Sequence, residues 1–147
     1  MMIPKYMRVL FLALFFMGIF HLTLGQEPDK GEPTPGNALP RIKLIDAVMC
    51  EGIKDGKPQN AAVIFSKSHG EVICFTTFDD IQENTFIYHK WFFRDVLNRT
   101  TRLIVNPPRW STYSSIHVRE SDKGPWHVEI TDEQGYVFQI LRFSIVE

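Results

Sequence analysis

The sequence predicts an all-β fold over residues 41–147, an antiparallel β-sandwich of immunoglobulin-like size. Three observations predict it. Seven or eight short segments rich in Val, Ile, Thr, Phe, Tyr and Trp recur at regular spacing after residue 40. Turn chemistry bounds them, and no stretch beyond residue 40 sustains a helical apolar period for three turns. Residues 41–147 are also about the length of one domain with one core.

The expected strands are 42–50, 61–66, 71–78, 84–94, 98–105, 109–119, 125–132 and 136–146. Asp55-Gly56-Lys57-Pro58 and Ser68-His69-Gly70 punctuate the first half. Asn106-Pro107-Pro108 stops a strand, because proline offers no ladder donor. Asp132-Glu133-Gln134-Gly135 reads as a turn with glycine in the left-handed position, closing a hairpin. Alternation puts Trp126, Val128 and Ile130 on one face of their strand, and Trp110, Thr112, Ser114, Ile116 and Val118 on one face of the preceding strand. Matching the two apolar faces as a hairpin sets Val118 opposite Trp126 and His117 opposite His127, with Trp126 buried. The last strand is ambiguous, since Phe138 and Ile140 compete with Leu141, Phe143 and Ile145 for the core.

Ahead of the domain, Lys5 and Arg8 precede an apolar run from Val9 to Phe20 and a more polar exit, His21-Leu22-Thr23-Leu24-Gly25. That order is the one a secretory signal peptide needs, so residues 1–25 are read as a leader cut after Gly25. The alternative is retention of residues 9–24 as an inner-membrane anchor; that stretch is shorter than the roughly 20 residues a spanning helix requires. Residues 26–40 carry prolines at 28, 33, 35 and 40, lack apolar periodicity, and are expected to form a disordered linker. The expected location is therefore the periplasm or cell envelope. Of 16 basic residues, Lys5 and Arg8 leave with the leader, so 14 remain against 17 acidic ones and the net charge is −3. A nucleic-acid partner is not expected, because there is no basic stripe.

Cys50 and Cys74 are the only cysteines. In an exported chain an even count favours a disulfide, and with two thiols only one pairing is possible. It would contribute about 3 kcal/mol through loop closure. Free buried thiols are the alternative. No Cys-x-x-Cys spacing points to redox chemistry.

The aromatic segments form an ordered series: Phe75-Thr76; Ile87-Tyr88-His89-Lys90-Trp91-Phe92-Phe93; Arg109-Trp110-Ser111-Thr112-Tyr113-Ser114; Gly124-Pro125-Trp126-His127-Val128-Glu129-Ile130; Gly135-Tyr136-Val137 with Phe143. In that order they resemble the bacterial envelope family named domain of unknown function 2914 (DUF2914). The resemblance extends over about 41–147 and includes Met49-Cys50 and Cys74. Ser111 departs from the family's tendency toward a second arginine after the tryptophan. The resemblance implies an envelope location and a β-rich domain, and it implies no activity.

Candidate binding residues follow from strand phase and chemistry. Arg109, Tyr113 and Ser115 share one face of their strand, where a guanidinium and a phenol flanked by hydroxyls suit a carboxylate or a glycan. His89, Trp91 and Trp110 form a second candidate cluster, against which stands the plainer reading of a hydrogen-bonded core histidine and core tryptophans. Catalysis is not expected: there is no nucleophile elbow around Ser111, Ser114 or Ser115, and His117 with His127 would supply two metal ligands where a structural zinc site takes four. No cofactor is expected. The function that emerges is a non-enzymatic exported module that binds an envelope protein or assembly. The alternative is a carbohydrate-binding module for peptidoglycan or exopolysaccharide.

Overall fold

A computed structural model describes residues 41–147; the expected leader (1–25) and linker (26–40) lie outside the described residues. Within the described residues, nine strands form two packed sheets. They are β1 (Lys43–Lys54), β2 (Lys57–Ala61), β3 (Ile64–Ser66), β4 (Glu71–Asp79), β5 (Thr85–Phe93), β6 (Val96–Val105), β7 (Trp110–His117), β8 (Gly124–Asp132) and β9 (Val137–Val146). The first sheet has the order β2-β1-β4-β7 and the second β3-β9-β8-β5-β6. The expected all-β sandwich is present, with one departure from antiparallel pairing: β3 runs parallel to β9.

Two hairpins are closed by the same backbone geometry with different residues. Asp55 (φ 51°) and Gly56 (φ 70°) join β1 to β2, and Arg94 (φ 48°) and Asp95 (φ 64°) join β5 to β6. Positive φ at both central residues is the type I′ arrangement, which matches the right-handed twist of the flanking strands and favours Asn-Gly or Asp-Gly. The first turn has that chemistry and the second does not.

The core lies between the sheets. Phe143 stands at its aromatic centre, edge-on to Phe65 (5.8 Å) and Trp91 (6.1 Å) and stacked with Trp126 (6.2 Å). Trp126 is buried as its strand phase predicts, and its indole N–H donates to the Asp122 carbonyl at 2.7 Å. Each such aromatic pair adds about 0.5–1.5 kcal/mol beyond the area it buries.

The β7–β8 hairpin expected from the sequence is absent. β7 pairs with β4 in the first sheet, while β8 pairs with β5 and β9 in the second. The connection carries a 3-10 turn, Glu120–Asp122, that takes the chain across the sandwich. Alternation identified the inward faces of both strands correctly, but it cannot say whether two inward faces are neighbours in one sheet or face each other across the core. His117 consequently lies opposite Glu71 and His127 opposite Phe92 and Arg142.

The ambiguity in β9 has a local cause. Ile130 pairs with Gln139 and Thr131 with Val137, so Phe138 is an extra residue in the ladder. This bulge reverses the phase of the strand. Phe138 packs against the core from one side of it, and Leu141, Phe143 and Ile145 do so from the other.

The expected Cys50–Cys74 disulfide does not form; both thiols are free and buried. Met49 is the residue opposite Cys74, and Cys50 is opposite Ile73. That offset of one residue sends the two side chains to opposite faces of the sheet. Cys74 joins the main core, whereas Cys50 packs with Ile73 and Phe75 in a smaller cluster on the other face. Burial raises the pKa of both thiols, which makes them poor nucleophiles.

Candidate functional site

β7 is an edge strand of the first sheet; it carries three of the expected binding residues, and a fourth, Arg109, immediately precedes it. Tyr113 lies opposite Phe75 with 53% of its surface exposed, and Ser115 lies opposite Ile73. Arg109, just before the strand, reaches the Asp79 carboxylate at 3.5 Å. Trp110 is 40% exposed at the strand's beginning, opposite Phe78. Ser111 exchanges a hydroxyl hydrogen bond with Thr77 at 2.9 Å, which fixes the β4–β7 edge beneath this strip. Arg99 of β6 donates to the Ser115 carbonyl at 3.4 Å, so the far end of β7 is tied to the other sheet. Arg109, Tyr113 and Ser115 thus form one outward row as strand phase predicts, and Trp110 belongs to the opposite phase.

His89 and Trp91 do not join that surface. Both are fully buried, so the second expected cluster is divided between the core and the edge of β7. The plainer reading of these two residues holds, with side-chain partners. His89 Nε2 lies 3.2 Å from Thr76 Oγ1, and His89 Nδ1 lies 2.9 Å from Ser114 Oγ. Trp91 Nε1 donates to the same Ser114 oxygen at 3.0 Å, and Thr76 Oγ1 donates to the Thr112 carbonyl at 3.4 Å. Thr76 and Ser114 come from the first sheet, His89 and Trp91 from the second.

The proton positions follow from donor counts. The single Thr76 hydroxyl hydrogen points at the Thr112 carbonyl, so Thr76 accepts from His89 Nε2–H. Nδ1 of a neutral imidazole is then an acceptor and receives the Ser114 hydroxyl hydrogen. Ser114 accepts in turn from the Trp91 indole. Every donor in the chain has an acceptor, and the histidine is the neutral Nε2–H tautomer. Burial pushes its pKa down to about 3. Serine against histidine here is a structural arrangement: among the described residues no carboxylate contacts the imidazole, and both rings of the group are fully buried.

Sequence reasoning missed a groove of about 390 Å³ on the outer face of the second sheet. Ladder register builds its floor in two rows. One crosses Ile64, Ser144 and Pro125, and the next crosses Arg142 and His127. His127 stacks on Phe92 (centroids 4.5 Å apart, planes 8° apart), and its Nδ1 faces Asp95 at 3.6 Å. Arg94 lies over the Phe93 ring at 4.9 Å and donates to the Lys123 carbonyl at 3.5 Å. The available sequence signal was Arg94-Asp95, a pair ill-suited to the tight turn it occupies. Among the described residues, no three His, Cys, Asp or Glu side chains converge on a position for a metal ion.

No curated protein matches the chain. The family match is narrower than the 41–147 expected from the aromatic series, and it comprises β5 to β8 and nearly all of β9: residues 84–145 match the family described as protein of unknown function (DUF2914), the one that series resembles.

Proposed function

We propose that residues 41–147 are a non-catalytic binding module, exported to the bacterial envelope, that engages a protein or protein assembly through β7. The observation that supports this best is the exposure of Tyr113 and Trp110 on one edge strand, next to Arg109. Tyr, Trp and Arg are the residues that dominate binding energy at protein interfaces. The edge also offers unpaired backbone groups to an incoming strand. Export is the part of the reading that rests on the charged and apolar order of residues 5–25 alone.

A glycan is the second reading, through stacking on the same rings. Trp110 and Tyr113 have opposite strand phase, however, so they do not offer one coplanar platform to a sugar. The test is photo-crosslinking in cells, with the photoreactive residue at Tyr113 and a control at Asp55. A discrete protein adduct at Tyr113 alone is expected. A folded, exported chain that yields no protein adduct at Tyr113 would refute the protein reading of this surface, and binding of isolated cell-wall fragments would then establish the glycan reading.

A further inference from the structure

We infer that the groove on the outer face of the second sheet binds the free carboxyl terminus of a peptide whose last side chain is aliphatic. This surface belongs to the sheet opposite β7, and the inference is independent of the β7 strip.

Charge comes first. Arg94 and Arg142 line the groove, and among the described residues neither has a carboxylate partner. The Asp95 carboxylate faces His127 instead. Two guanidiniums against one carboxylate favour an anion, and the planar donor fork of arginine matches a carboxylate in particular. Val63 and Ile64 are 66% and 62% exposed at the mouth, while the aromatic residues of the lining, Trp126 and Phe143, are buried beneath it. The one further ring of the lining, His127, has a face covered by Phe92, and aliphatic walls of this kind suit a branched side chain better than a sugar ring. The volume lies near the lower end of the range for small-ligand sites, which fits a terminal residue or two.

Main-chain geometry favours a terminus over a segment that runs through. β3 is the edge strand beside the groove and has only three residues, so it can extend a short ladder to an added peptide and no more. A ladder that short, with the arginines close by, places the negative charge on the peptide's own backbone end. The Arg94-Asp95 turn supplies a separate indication. Two non-glycine residues are held in left-handed conformation at the groove's rim, although this chain closes its other two-residue hairpin with Asp-Gly. Residues held in a locally unfavourable conformation concentrate at ligand sites, where the side chain matters more than turn preference.

The test uses the full chain, labelled with 15N, and three synthetic peptides. These are N-acetyl-Gly-Ser-Gly-Leu as the free acid, the same peptide as its C-terminal amide, and an amidated peptide with aspartate in place of the leucine. The free acid should produce saturable amide shifts centred on Ile64, His127, Arg142 and Ser144. The leucine amide should bind at least about tenfold more weakly. Arg142→Gln should weaken the acid at least about tenfold, with the remaining spectrum unchanged, while Arg119→Gln leaves it as it was. Equal binding of acid and amide, shifts that map elsewhere, or no saturation up to roughly 10 mM would overturn the inference. Binding of the aspartyl amide as tightly as the free acid would also overturn it, in favour of an internal acidic segment.

Discussion

Ser114→Ala tests the internal hydrogen-bond chain most directly. The substitution removes one oxygen and deprives two buried partners, the Trp91 indole N–H at 3.0 Å and His89 Nδ1 at 2.9 Å. Both rings are fully buried, so solvent cannot replace the lost partner without opening the sandwich. A buried polar group left unsatisfied costs about 1–3 kcal/mol, so two such groups bracket the loss at roughly 2–6 kcal/mol. Removing the hydroxyl's own desolvation cost offsets part of this, and about 3 kcal/mol is the expected net loss. For a domain of this size each kcal/mol moves the melting temperature by roughly 4–8 °C, so a fall of about 12–24 °C is expected. Urea unfolding monitored by tryptophan fluorescence reads the effect. Ser115→Ala is the control, because Ser115 lies one residue further along on the opposite face, and it should change stability by less than about 0.5 kcal/mol. If Ser114→Ala and Ser115→Ala unfold at the same urea concentration, the hydrogen-bond chain contributes nothing to stability and Ser114 is not the buried partner of both rings.

Three further outcomes are expected. His89 has a folded pKa of about 3, below its unfolded value near 6.5, so the unfolded chain binds the extra proton and stability falls as pH drops from 6.5 toward 3. The slope from this group approaches about 1.4 kcal/mol per pH unit, and imidazole 15N shifts should show an Nε2–H tautomer that does not titrate between pH 5 and pH 8; a native titration near 6.5 would contradict this. Asp95→Gly should stabilise the fold by about 0.5–1 kcal/mol, measured by the same urea unfolding, because glycine adopts positive φ without steric cost. Destabilisation would instead mean that the Asp95–His127 contact outweighs the turn. Alkylation of non-reduced protein should add two groups after denaturation and none under native conditions; a denatured chain that takes up none would restore the disulfide.

Strand phase made much of this legible. Period-two alternation buried Trp126, aligned Arg109 with Tyr113 and Ser115, and put His89 and Trp91 on one face. It left open which strands are neighbours and in what register they pair, and the corrections to the β7–β8 hairpin and to the disulfide arise there. The pairing of β7 with β4 depends on a crossover that no two-residue turn announces. The separation of Cys50 from Cys74 depends on a ladder offset of one residue. Ser114 lies between His89 and Trp91 because two sheets face each other, a relation between residues far apart in the chain that local period cannot express. Asp55-Gly56 stood out only as punctuation between strands expected at 42–50 and 61–66, yet it closes a two-residue hairpin between longer strands, β1 and β2. Arg94-Asp95 closes another without turn chemistry of that kind, and the groove beside it was invisible for the same reason.

The hydrogen-bond chain through His89 also acts as a key between the two sheets. Aliphatic packing is tolerant: one sheet can slide a residue over another and still bury oil against oil. The run from Trp91 through Ser114, His89 and Thr76 to the Thr112 carbonyl is not tolerant, because its donors and acceptors alternate in one direction. A shifted alignment would set donor against donor in a dry interior and would lose to the correct one by several kcal/mol. A chain of four side chains therefore decides which of many greasy arrangements is native. It does so from the middle of the sandwich, leaving both outer faces free to vary.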